Sequence, residues 1–238
     1  MNASLSAALD RIAERAADVR RAFTPGAQPR YGDVATAAPS AQVALDPLSV
    51  AAPEGAYFVT RDARGRTEYS RDGRFGLIGG TLVDARERPI LGRSVPEAAL
   101  HELRVDPVDA ALGVARNPRV LPDGSFVYTR ASVDPRTGSR VERDVTAGRV
   151  ALARFPAATR LEGDDGSHFS APSGVAPHVG FAGDGSFGAI APLALERGRV
   201  DLDGSLARLK DAYVAFDALA AAETVRDRLG KTAMDVVK

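Results

Sequence analysis

The string Gly183-Asp184-Gly185-Ser186-Phe187-Gly188 meets the glycine pattern of dinucleotide-binding loops, and Asp203 follows near the distance of a ribose-binding acid. That chemistry needs a strand entering the loop and a helix leaving it, so that helix N–H groups meet the pyrophosphate. Pro192 and Gly198 stand where the helix would run, so a glycine-rich turn between strands is expected. The three histidines, at 101, 168 and 178, are not spaced to ligate one metal. His168 lies beside Asp164 and Asp165 in GDDGSHF, the nearest approach to an acid–base cluster and the place a hydrolase would use; such a polar string reads as a solvated loop. Asp201-Leu202-Asp203-Gly204 opens like a calcium loop but lacks the remaining ligands and the closing glutamate, which leaves helix capping. No cysteine and no Gly-x-Ser-x-Gly elbow occurs, so thiolate catalysis, cysteine zinc sites and that hydrolase signature fall away. Arg61, Arg64, Arg66, Arg71 and Arg74 are interleaved with Asp62, Glu68 and Asp72, which predicts an exposed hairpin rather than a phosphate track. No catalytic, cofactor-binding or metal residue is assigned, and no enzyme is expected.

Composition narrows the class further. The 238 residues are 45% apolar, enough for one or two domains with a core. Thirty-one basic residues balance 31 acidic ones, so neither nucleic acid nor an anionic membrane is an expected partner. Tryptophan is absent, and much of the apolar content is alanine, which forms helix readily but buries little area. No apolar run reaches the length of about 18 residues that spans a bilayer. The N-terminal stretch MNASLSAALDRIAERAADVRR lacks the basic start and uninterrupted apolar region of a secretory signal.

The pattern divides the chain into a helix over 1–26, an extended proline-rich linker over 27–50, a β-rich core over 51–200 and a helix over 201–238. In the first helix Leu5, Leu9, Ile12, Ala16, Val19 and Phe23 form one seam of coiled-coil spacing, and Thr24-Pro25-Gly26 stops it. Leu202, Leu206, Leu209, Tyr213, Phe216 and Ala220 repeat that spacing in the last helix; Val225, Leu229 and Val236 continue it after a phase slip. Asp201 or Asp203 is the expected N-cap. Between the helices, Ala56–Val59, Thr81–Val83, Phe126–Tyr128 and Val150–Ala153 read as strands, separated by Asp-Gly turns at 72, 123 and 184. Residues 93–120 are the least legible. The expected fold is α+β, a mainly β domain flanked by terminal helices that pair as a coiled coil.

Residues 54–92 resemble the shared core of bacterial flagellar rod and hook proteins. The phrases are Gly55, Tyr57-Phe58-Val59, Tyr69-Ser70-Arg71-Asp72-Gly73-Arg74-Phe75, Leu82-Val83 and Pro89-Ile90-Leu91-Gly92. The resemblance continues at Val120–Ser125, Gly148–Pro156, Gly163–Ala171 and Leu195–Asp201, and into the last helix at Tyr213 and Phe216. Two phrases depart from it. The asparagine-rich end of the family's first helix is replaced by Ala16–Phe23, and its Ser-Asn before Val200 by Gly198-Arg199.

The resemblance implies a basal-body rod subunit, exported unfolded by the flagellar type III apparatus without signal cleavage. It implies assembly with copies of itself and with other rod and hook proteins, the terminal helices forming the inner tube. It is closest to the proximal or distal rod subunits; a hook-type subunit usually carries a further outer domain. The seam residues of both helices would then be the subunit interface. The rival expectation from another class is an envelope-associated β domain that binds glycan or peptidoglycan.

Overall fold

The computed structural model describes residues 3–27, 40–94, 99–106, 108–109, 113–134, 136–157, 159–163 and 167–236. It is α+β: helix α1 (Ala3–Ala22) and helix α2 (Leu202–Val236) flank a central region built almost wholly of strands. The chain forms two compact units, one holding α1 and α2, the other holding the strands.

In the helical unit, α1 and α2 pack on each other. Asp201 caps α2: its backbone carbonyl accepts from Ser205 N–H, and its carboxylate accepts from Asp203 N–H at 3.2 Å. This satisfies donors that the first turn of a helix leaves over. The helix then runs unbroken to Val236, through the phase slip in its apolar pattern.

In the β unit one long strand, Arg140–Arg154, is the spine. Its first half pairs antiparallel with Ser125–Val133, which in turn pairs with Gly113–Val120. Its second half pairs with Leu91–Arg93, with Tyr57–Phe58 of the Tyr57–Arg61 strand, and with His178–Phe181. Tyr57–Arg61 continues the sheet through Thr67–Ser70 to His168–Phe169. A register shift between Phe126 and Val127, opposite Gly148 and Thr146, marks a bulge where the spine passes from one set of partners to the other.

Side-chain alternation along the spine explains why its apolar run is continuous. Val150 and Leu152 face one core with Phe58, Phe126, Leu82, Leu103, Ile90 and Ile190. Ala151 and Ala153 face a second with Val59, Tyr69 and Leu91. A strand covered on both faces reads as an unbroken apolar stretch. The 93–120 region, weakly patterned in sequence, contributes the short strands His101–Glu102 and Val108–Asp109 and the longer Gly113–Val120. The linker expected over 27–50 falls partly outside the described residues; within them it carries the strand Ala41–Val43, paired with Ala194–Glu196, and the start of Val50–Ala51. Alternation there is too short to read locally, because each pairs with a strand about 150 residues away.

One buried ion pair ties the segments nearest the chain ends into this unit. Arg71, read in sequence as part of an exposed hairpin, is 2% exposed; Arg64 and Arg66 do lie on the surface. The Arg71 guanidinium donates through Nε to Glu196 Oε2 at 2.6 Å and through Nη1 to the carbonyl of Ala56, and it lies over the Tyr57 ring. The Glu196 backbone carbonyl accepts from Gly26 N–H at 2.9 Å. Gly26 has φ 67°, and a Cβ there would stand 2.5 Å from the Arg71 carbonyl carbon, so only glycine fits the turn. Gly73 is likewise pressed on Val50, where an added Cβ would come within 1.7 Å of the carbonyl oxygen.

Breaking a buried pair from one side leaves an uncompensated charge, which costs about 3–5 kcal/mol. Arg71→Met is therefore expected to lower the urea midpoint sharply, and Arg71→Met with Glu196→Leu to recover most of the loss. A double variant no more stable than the single would show that the pair is not the source of the effect.

Candidate functional site

The sequence singled out His168, and the structure gives it a partner that sequence reading missed. His168 Nε2 lies 2.6 Å from Asp84 Oδ2, and its Nδ1 lies 3.0 Å from Ser167 Oγ. All three residues are buried. Asp164 and Asp165 lie outside the described residues. A hydroxyl, an imidazole and a carboxylate in a chain is the constellation of nucleophilic catalysis. The Ser167 backbone carbonyl in turn accepts from Ser70 Oγ at 2.8 Å. The other Asp84 oxygen accepts the backbone N–H groups of Arg86 and Arg88. The chain therefore pins the 84–88 turn to the His168–Phe169 strand.

Above it lies a cleft of about 400 Å³ lined by Arg66, Glu68, Arg86, Arg88, Glu162 and His168. Arg88 is paired with Glu68, and Arg66 with Asp62. The cleft is polar and carries both signs of charge.

The glycine-rich string 183–188 is a closed turn. Asp184 Oδ2 accepts from Phe181 N–H at 2.8 Å, and Oδ1 accepts from Ser186 and Phe187 N–H. The backbone donors that would hold a pyrophosphate are thus used by the loop's own carboxylate, and the next element is the short strand Ala191–Pro192. The same device recurs. Asp46, Asp62, Asp72, Asp84, Asp123, Asp134 and Asp201 each accept the N–H two residues on. Much of the acidic content closes turns. The other histidines are separate. His101 Nε2 lies 3.0 Å from Ser94 Oγ, and the His178 ring stacks on Phe187.

The predicted helix seam divides in two. Ile12 is buried, and Leu5, Ala16, Val19, Leu202, Leu209, Phe216 and Ala220 are half-buried. Leu9, Phe23, Leu206 and Tyr213 are exposed, Phe23 by 72%, Tyr213 by 51% and Leu206 by 46%. The fully buried helical positions include residues that an apolar-periodicity reading passes over: Asp18, Arg21, Ser205 and Ala212. Asp18 Oδ1 accepts from Arg21 at 2.8 Å, and Arg15 stands 3.7 Å from the other oxygen. Small residues and a self-neutralised charge pair occupy the tightest positions, and several large apolar side chains are left outward. Val214, Val225 and Leu229 add to that outward set.

No family model matches the chain, and no curated protein matches it in sequence. No helix is long and apolar enough to cross a membrane among the described residues.

The turn carboxylates make a pH prediction. Burial by itself would raise the Asp184 carboxyl, but the backbone N–H bonds from Phe181, Ser186 and Phe187 outweigh it and hold it below the usual carboxylate value. Asp123 is lowered against the same burial by its Ser125 bonds and by Arg149. A carboxyl lowered in the folded state stabilises above its unfolded pKa of 3.8, and that contribution is lost as pH falls through the folded value. Asp184→Asn is thus expected to destabilise at pH 7 and to differ little from the parent near pH 2, as read by urea midpoints at both.

Proposed function

We propose that the chain is a structural, non-enzymatic subunit of the bacterial flagellar basal-body rod that polymerises through its two terminal helices. The observation that carries the reading is the set of large apolar side chains left outward along α2: Leu206, Tyr213, Val214, Val225 and Leu229. α2 has 35 residues against 20 in α1, about 52 Å against about 30 Å at 1.5 Å per residue. Part of the longer helix therefore has no length of α1 to lie along, and large apolar residues continue into that part. Large apolar side chains left exposed in this number along one helix favour a protein contact. In the proposed rod, coiled-coil contacts between copies cover them, each buried aliphatic or aromatic side chain adding on the order of 1.5–3 kcal/mol.

The resemblance over residues 54–92 and 120–237 supports the family choice. Its phrases fall on elements that hold the β unit together: Tyr57–Val59 in a central strand, Arg71 and Gly73 in the buried pair and its close contact, and Gly148–Phe155 on the spine. The family's asparagine-rich phrase is replaced here by Ala16–Phe23, a segment in which Asp18 and Arg21 pair with each other. The proposed partners are further copies, the other axial proteins of rod and hook, and the type III export apparatus. The proposed location is the periplasm-spanning rod. A second reading, an envelope domain that binds an acidic glycan, has in its favour the cleft lined by Arg66, Arg86 and Arg88.

Exposed seam residues give a cleaner test than buried ones, because changing them spares the fold. Leu206→Asp with Tyr213→Asp is expected to leave the melting temperature within a few degrees of the parent, while the protein disappears from isolated basal bodies and the cells lose motility. Normal motility with the variant present in basal bodies would overturn the rod reading. Binding of cell-wall glycan fragments, abolished by Arg86→Ala with Arg88→Ala, would favour the second.

A further inference from the structure

The β unit carries an apolar projection and, elsewhere on its surface, an apolar socket. The projection is the two-stranded ribbon of Ala41–Val43 and Ala194–Glu196 with its flanks. Val43 is 89% exposed and Leu45 95%, the largest exposures among the big apolar side chains described. Leu193, beside them through the bond from Ala44 N–H to its carbonyl, is 48% exposed with φ 53°. A branched apolar residue held in the left-handed region is strained, and here only half of it is covered in return. The other edge of Ala41–Val43 pairs with no strand among the described residues.

The socket is a cavity of about 130 Å³ lined by Leu77, Val105, Ala115, Pro118 and Tyr128. It is almost wholly apolar, and an engineered cavity of about 150 Å³ takes a benzene molecule, so one leucine side chain fits here. Arg116 also lines it and is exposed. Arg116 makes no ion pair among the described residues, and neither does Asp46, the residue next to Leu45, whose carboxylate accepts from Leu48 N–H. Projection and socket thus agree in size and apolarity and carry opposite charges beside them.

We infer that the projection of one copy, led by Leu45, enters the Leu77–Tyr128 socket of a second copy of this chain, with Asp46 meeting Arg116. Two different patches of one molecule then meet head to tail, and a contact of that kind propagates as a filament unless its rotation closes a ring. Two aliphatic side chains and half of a third fall well short of the roughly 800 Å² per partner of a stable complex. The contact therefore acts only alongside another, or at high concentration. It draws on the proposed assembly for its occupant alone and uses no helix residue.

Because the chain lacks cysteine, single cysteines report the contact without background. Full-length Leu45→Cys and Leu77→Cys chains are mixed at high concentration and oxidised, with Val133→Cys, 65% exposed, as the control partner. The expected result is a Leu45→Cys/Leu77→Cys heterodimer in excess over either homodimer and over the control pair. Adding Asp46→Arg to the first chain lowers its yield about two- to fivefold, the range of an exposed ion pair, and adding Arg116→Asp to the second restores it. Equal yields with the control, or a charge swap that fails to restore, would overturn the contact. Repeating the cross-link in chains that carry Leu206→Asp separates the two proposals, since the helix contact is lost there and this one persists.

Discussion

Burying a guanidinium is costly unless it meets acceptors, and the Arg71 site is built from groups drawn from three other places in the chain. Glu196 supplies the carboxylate, Ala56 a carbonyl and Tyr57 a ring face, while Gly26 lies against the Arg71 backbone. None of these groups can shift alone. The carboxylate arrives on a strand that also bonds Ala41–Val43, and the glycine arrives on the stretch that follows α1. One charge thus sets where residues 24–27 and 194–196 join the β unit, with tolerances of tenths of an ångström at Gly26.

The spine strand Arg140–Arg154 works by a different economy. Its central residues Val150–Ala153 are closed on both faces, so small alanines alternate with larger Val and Leu to match two cores of unequal depth. The Phe126 bulge changes its partners midway. With no tryptophan in the chain, such double-sided burial lets modest side chains supply a core. The polar chain His168–Asp84–Ser167 and the aspartate-closed turns then hold the connections without needing apolar area.

Against this the outward surface is uneven. Most large apolar residues of the strand unit are buried, and those left outward include Val43, Leu45, Leu77, Ile78, Val133 and Leu193. The helical unit leaves many outward along α2. Helices of ordinary propensity held by a narrow buried stripe are stabilised chiefly by whatever packs on them.

The sequence by itself determined the features that depend on near neighbours. Heptad spacing predicted both helices, and Thr24-Pro25-Gly26 predicted the end of the first. Asp-Gly pairs placed the turns at 123 and 184, whereas at 72 the chain takes no turn and Gly73 has no positive φ; the runs at 56–59, 81–83, 126–128 and 150–153 fall on strands. These signals are legible because an i,i+4 face or an i,i+2 alternation is set within one element. Tertiary structure alone decided which arginine of the 61–74 group is buried, since Glu196 lies 125 residues away. It decided likewise that His168 would meet Asp84, and that the Ala41–Val43 segment would become a strand. It also split the helical seam. Periodicity selects a face, but the depth of each residue in that face depends on the partner's shape. So Ala212 and Ser205 went inward, while Leu206 and Tyr213 stayed out.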